Sequence, residues 1–149
     1  MNDIVGSIKI VSSYRVGQLE ALYEKVSHYN ILEPRSLSVK SILAYENGRY
    51  SESVQFLGKC IVLDPSVSGY QKQLAKACVK MFWWKQALKS LNRAIYADPN
   101  DPESWYGLGF IYDHVKNLDN AKFCYMQSLA LDPSFRNARD ALQTLNKIS

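Results

Sequence analysis

The chain is short of the residues that do chemistry. His28 and His114 are its two histidines, and neither has a carboxylate or thiol at a motif spacing, so neither reads as a general base or a metal ligand. The seven glycines form no phosphate-cradling run. No enzymatic activity, metal or cofactor is therefore expected. Cysteine is equally sparse: Cys60, Cys78 and Cys124 are an odd number without metal-ligand spacing, each within an expected helix at a small or apolar position. They read as reduced core thiols of a reducing compartment. No stretch approaches the roughly 18 apolar residues of a membrane span. The first residues carry Asp3 where a secretory signal would be basic, and Lys9 interrupts the apolar stretch that follows. A cytoplasmic protein without membrane insertion is expected. A formal charge of +4 is too small to imply nucleic acid by itself.

What is present is a stride. Asp64-Pro65, Asp98-Pro99 and Asp132-Pro133 recur every 34 residues. A fixed period of that length marks a repeat architecture. With 149 residues, 47% of them hydrophobic and 21% charged, the chain has one domain's worth of ordinary globular composition.

Between Pro99 and Pro133 the sequence runs Trp105-x-x-Leu108-Gly109-x-x-Tyr112, then Ala121-x-x-x-Tyr125, then Pro133. This resembles the tetratricopeptide repeat (TPR) family, whose succession of Trp, Leu-Gly, Tyr, Ala, aromatic and Pro it follows almost slot for slot. The residues have physical reasons of their own. Asp101 can cap a helix that starts at Pro102, which needs no amide partner, and Glu103 suits the positive end of the helix dipole. Trp105, Leu108 and Tyr112 form one apolar stripe, while Gly109 and Ala121 leave room for a neighbouring helix. Residues 115–119 are the expected turn, and Asp132-Pro133 ends the second helix because a residue before proline avoids helical geometry.

One stride earlier the same slots hold Gln71, Leu74, Ala75, Cys78, Ala87, Leu91, Ala94 and Pro99; one further back Gly48, Tyr50, Ser53, Cys60 and Pro65 fit, with Lys40 where an apolar residue is expected. The resemblance implies an all-α fold, a right-handed solenoid of helical hairpins. Its expected parts are a divergent helical pair or cap over 1–33, repeats over 34–67, 68–101 and 102–135, and an amphipathic capping helix over 136–149.

In this family the first (A) helix of each repeat lines a concave groove that holds peptides. Carried across, those slots are Ser38, Ile42 and Tyr45, then Lys72, Lys76 and Val79, then Tyr106, Phe110 and Asp113. Lys72, Lys76 and Lys80 follow one helix face, and Tyr106 and Phe110 lie off the core stripe as spare aromatics. That combination suits a protein or peptide ligand with acidic and apolar side chains. The chaperone-carboxylate clamp of some relatives is not expected. Lys72 fits it, but Lys76 and Gly107 replace two asparagines, and Asn137 and Ala141 replace later basic residues.

Phe82 and Trp83, in the turn after Met81, make a second candidate contact surface, whereas Trp84 reads as core. Lys85, Lys89 and Arg93 form a basic stripe outside the groove. Nucleic acid is not expected as a partner, since acids from Asp98 to Asp119 adjoin these stripes. The leading expectation is a non-catalytic adaptor or scaffold subunit of a multi-protein assembly. The alternative is a dedicated chaperone for a secreted or assembly substrate, forming a homodimer through its N-terminal helices.

Overall fold

The computed structural model describes residues 33–148 together with Ala21. Seven helices follow one another over that stretch: α1 Pro34–Glu46, α2 Tyr50–Leu63, α3 Ser68–Lys80, α4 Trp84–Ala97, α5 Pro102–His114, α6 Leu118–Leu131 and α7 Arg136–Ile148. Among the described residues there is no strand. The expected N-terminal helical pair, with His28, lies outside the described residues. Each of the three 34-residue windows contains two helices, and α7 stands where the capping helix was expected. Contacts divide the chain into two compact units, Met1–Trp83 and Trp84–Ser149. In the first, α1 pairs with α2, and α3 packs on both; in the second, α4 packs on α5, α5 pairs with α6, and α6 packs on α7.

The A helices end in one repeated device. Gly48, Phe82 and Lys116, one stride apart, all adopt the left-handed conformation, with φ of 74, 58 and 63°. In each case the left-handed residue's N–H donates to the carbonyl three residues back, Tyr45, Val79 or Asp113, and the next N–H donates to the carbonyl five back, Ala44, Cys78 or Tyr112. This is the Schellman arrangement, which satisfies the orphan carbonyls of a helix C-terminus. The third turn is shorter than the expected 115–119. Asn117 caps α6 by accepting from the Asn120 N–H at 3.4 Å, so the helix already begins at Leu118.

The Asp-Pro pairs do more than stop helices. Asp64, Asp98 and Asp132 each accept the backbone N–H two residues on, from Ser66 (3.2 Å), Asn100 (3.2 Å) and Ser134 (3.0 Å). The carboxylate thus folds the linker into an Asx turn before the next helix starts. Asp101 caps α5 as the sequence suggests, accepting from the N–H groups of Glu103 and Ser104 and from the Ser104 hydroxyl at 2.6 Å.

Two hairpins are stitched at equivalent points. The Cys60 thiol donates to the Pro34 carbonyl at 3.5 Å, and the Ser128 hydroxyl donates to the Pro102 carbonyl at 2.8 Å. Both satisfy a carbonyl at the start of the A helix from the end of the B helix. Small residues then set how closely the helices approach. A Cβ placed on Gly109 would lie 2.7 Å from the Tyr125 ring and 3.2 Å from the Cys124 Cβ. Tyr125 is fully buried with Ala121, Ala138 and Leu145 in the core of the second unit. The core stripe itself differs from expectation. Leu108 and Ile111 are buried on α5, while Trp105 is half-buried and its Nε1–H reaches the Pro99 carbonyl at 2.9 Å. Trp105 therefore pins the preceding loop.

Two glycines should separate packing from propensity. Gly109→Ala should destabilise by about 1–3 kcal/mol, because the buried ring cannot retreat and overpacking outweighs the gain in helix propensity. Gly58→Ala, in α2 with nothing within 4 Å of its added Cβ, should stabilise by about 0.5–1 kcal/mol. Urea melts of the two variants check the opposite signs.

The buried acids of the core give a pH prediction. Burial pushes the Cys60 thiol up to about 12 and the Cys124 thiol up to about 11, and it also raises Cys78, Tyr70 and Tyr125. Folded-state values above the unfolded ones mean stability is full below the ordinary thiol range, about 8.5–9, and is lost as the unfolded chain alone ionises. Thermal melts under reducing conditions should show a midpoint that is level through neutral pH and falls steadily above about pH 9. A level midpoint to about pH 11 would place these groups in contact with water.

Candidate functional site

The groove-side slots can be followed within each unit. On α1 of the first unit Ile42 is only 6% exposed and Ser38 is buried too, so both are core side chains in this structure. Tyr45, one turn on, is half-buried and sets its ring edge-on to Tyr50, with centroids 5.3 Å apart. Burial first, then the Tyr50 and Glu46 charges, raise its phenol pKa. On α3, Lys72 is half-buried and Lys76 exposed, and each is engaged in a noncovalent interaction; Val79 is half-buried and Lys80 exposed. The helix face is thus basic at its outer end. The turn that follows presents Phe82 at 75% exposure and Trp83 at 47%.

On α5 of the second unit the three slots have three different fates. Tyr106 is not a surplus aromatic. It packs on the core cluster, its ring 5.8 Å from Tyr125 and 5.4 Å from Phe135. The linker before α7 delivers Phe135 to the same side on which α6 presents Tyr125, and Tyr106 fills the space between their contacts. Asp113 also has a role inside the unit, because its carboxylate accepts the Tyr125 phenol; burial and then the Asp113 charge raise the pKa of that phenol.

Phe110 is half-buried and is not one of the side chains packed on this cluster. Its ring lies 4.3 Å from the imidazole of His114, which also stacks on Trp84 with centroids 4.9 Å apart and planes 27° apart. His114 Nδ1 lies 3.1 Å from the Phe110 carbonyl. A carbonyl can only accept, so Nδ1–H is the donor of this bond. The sequence offers His114 no partner at a motif spacing and reads Trp84 as core. Their stacking joins α4 to the end of α5, a pairing that spacing along either helix does not reveal. Among the described residues no group of three His, Cys, Asp or Glu side chains could hold a metal ion, and no helix is long and apolar enough to cross a membrane.

Comparison with known proteins follows the same lines. The tetratricopeptide repeat family profile matches residues 102–135. The general transcriptional corepressor ssn6 of Schizosaccharomyces pombe is 25% identical over 109 residues, 72% of this chain and 10% of that protein. The Hsp70-Hsp90 organising protein of Plasmodium falciparum is 26% identical over 98 residues, 66% of this chain and 39% of that protein. The chain therefore spans less than half the length of these relatives. Among solved structures, the first TPR of Spaghetti (RPAP3) bound to the HSP90 peptide SRMEEVD superposes with a TM-score of 0.75 at 20% identity, covering 77% of this chain and 91% of that one. The helix order, the 34-residue stride and these likenesses agree: residues 102–135 are a tetratricopeptide repeat, and the described residues have the helical-hairpin fold of TPR domains.

Proposed function

We propose that the chain is a non-catalytic protein–protein interaction module, an adaptor or scaffold subunit of a multi-protein assembly, which holds a peptide or helical segment of its partner on the outward faces of its A helices. The observation that carries this reading is the partly exposed aromatic set of Phe110, His114 and Trp84. Tyr106 packs on the core cluster and Asp113 accepts the Tyr125 phenol, whereas Phe110 packs on the exposed His114 and leaves part of its ring for a partner. Apolar burial at about 25 cal/mol per Å² gives such a site its affinity. The fold likeness to a TPR domain with a bound peptide supports the same use of this scaffold.

The basic face of α3, ending at Lys80, favours partners that combine acidic with apolar side chains and contributes mainly orientation and association rate. Phe82 and Trp83 supply a second contact surface on the first unit. The departures at Lys76, Gly107, Asn137 and Ala141 argue against recognition of a chain-terminal carboxylate. Three free, buried cysteines fit a reducing compartment, and we assign the protein to the cytoplasm.

Panning a displayed library of natural protein segments against the wild type and Phe110→Ala tests the reading. Enriched segments should bind the variant at least about tenfold more weakly, the loss expected of an aromatic hot spot, while its melting temperature stays near that of the wild type. Tyr106→Ala should instead cost about 3 kcal/mol of stability. Segments retained by Phe110→Ala, or enrichment of chain termini resembling SRMEEVD, would refute the assignment.

A further inference from the structure

The outer face of α4 carries a charge pattern that the groove-side reading does not use. Lys85, Lys89 and Arg93 recur every four residues and are exposed, as is Asn92 between them. At 100° per residue they fall with Tyr96 on one arc about 100° wide, which Tyr96 shares while standing 92% exposed. Helix α4 contains no aspartate or glutamate. Among the described residues no side-chain hydrogen bond or ion pair engages any of the three cations.

The repeat provides an internal control. The three cationic positions are Ser51, Gln55 and Lys59 on α2, and Asp119, Phe123 and Gln127 on α6; the Tyr96 position is Val62 and Ala130. Helices of the same kind, one stride away on either side, are thus built without this stripe. The scaffold does not require it.

We propose that this face docks an acidic helical segment of a partner protein, distinct from the segment held on the A helices. The cations advance about 6 Å per step along the α4 axis. A facing helix with carboxylates at i, i+4 and i+8 advances equally, so each carboxylate meets one cation in register. An apolar side chain at i+11 then lands on the ring of Tyr96. A long polyanion fits less well, because the segment after α4 carries Asp98, Asp101 and Glu103, whose charges oppose a phosphate chain running on past Arg93. A short acidic helix ends before it reaches them.

The probe is a fluorescein-labelled helical peptide of about 15 residues with Glu at i, i+4 and i+8 and Leu at i+11. Its controls are a peptide of the same composition with the glutamates spread around the helix and a single-stranded oligothymidylate of about 12 nucleotides. The patterned peptide should bind the full chain at least about tenfold more tightly than the scrambled one at physiological salt. Lys85→Glu, Lys89→Glu and Arg93→Glu together should remove that binding, the corresponding triple Gln variant should remove most of it, and Tyr96→Ala should weaken it about threefold. All these positions are exposed, so circular dichroism should show unchanged helicity. Phe110→Ala should bind the probe like the wild type, which keeps this test separate from that of the A-helix site. Equal binding of the scrambled peptide, tighter binding of the oligonucleotide, or retention by the triple Glu variant would overturn the proposal.

Discussion

The second unit depends on the contact between the Gly109 backbone and the buried ring of Tyr125. At 2.7 Å from where a Cβ would stand, the ring occupies the volume of any larger residue. That approach draws α5 against α6 closely enough for the Tyr125 phenol to reach Asp113 and for Tyr106 to lie along the same ring. Phe135 and the α7 core residues Ala138 and Leu145 then close over the cluster. One absent methyl group therefore positions an aromatic, a hydrogen-bonded carboxylate and the packing surface of the following helix. Because interiors are close-packed, such a contact leaves little room for compensating shifts.

The turns bear a different constraint. Left-handed backbone costs a residue with a Cβ roughly 1–2 kcal/mol, and only the first of the three A-helix ends uses glycine there. Phe82 and Lys116 adopt the same geometry, held by the same pair of backbone hydrogen bonds. The conformation is imposed by the helix end and the next helix's start, not by the residue that adopts it. Side-chain identity at these turns is consequently open to other demands, and an aromatic that is 75% exposed in such a position is not explained by the fold alone.

Much of this was legible in the chain. The stride located six helices as three pairs, the Asp101-Pro102 junction announced its cap, and Gly109 and Ala121 announced close approach. The fates of Tyr106, Ile111 and Phe110 were not legible, because α5 is apolar around much of its circumference and periodicity cannot choose a core face on such a helix. Ile111 went to the interior and Trp105 to its loop, against the expected stripe. Ser128 and Cys60 gave only their small size to sequence reading; their bonds to Pro102 and Pro34 span 26 residues and depend on the hairpin being closed. Asp113 likewise reads as a free acid until α6 delivers Tyr125 to it.

These observations bear on how function is distributed over a repeat. Positions between paired helices must be small or shaped to fit, so Ala87, Ala121 and Ala138 have no freedom to vary without cost. Positions on the outer face of a B helix meet water and are nearly free: Ser51, Lys85 and Asp119 occupy the same point of the scaffold with no charge, a positive charge and a negative one. Specificity can then be written on those positions without disturbing the packing that defines the fold. The same separation explains why Tyr106 and Phe110, one turn apart on α5, differ in kind: the first lies against the core rings of Tyr125 and Phe135, and the second against the tilted ring of an exposed imidazole. Where the core stops claiming side chains, the sequence becomes free to vary.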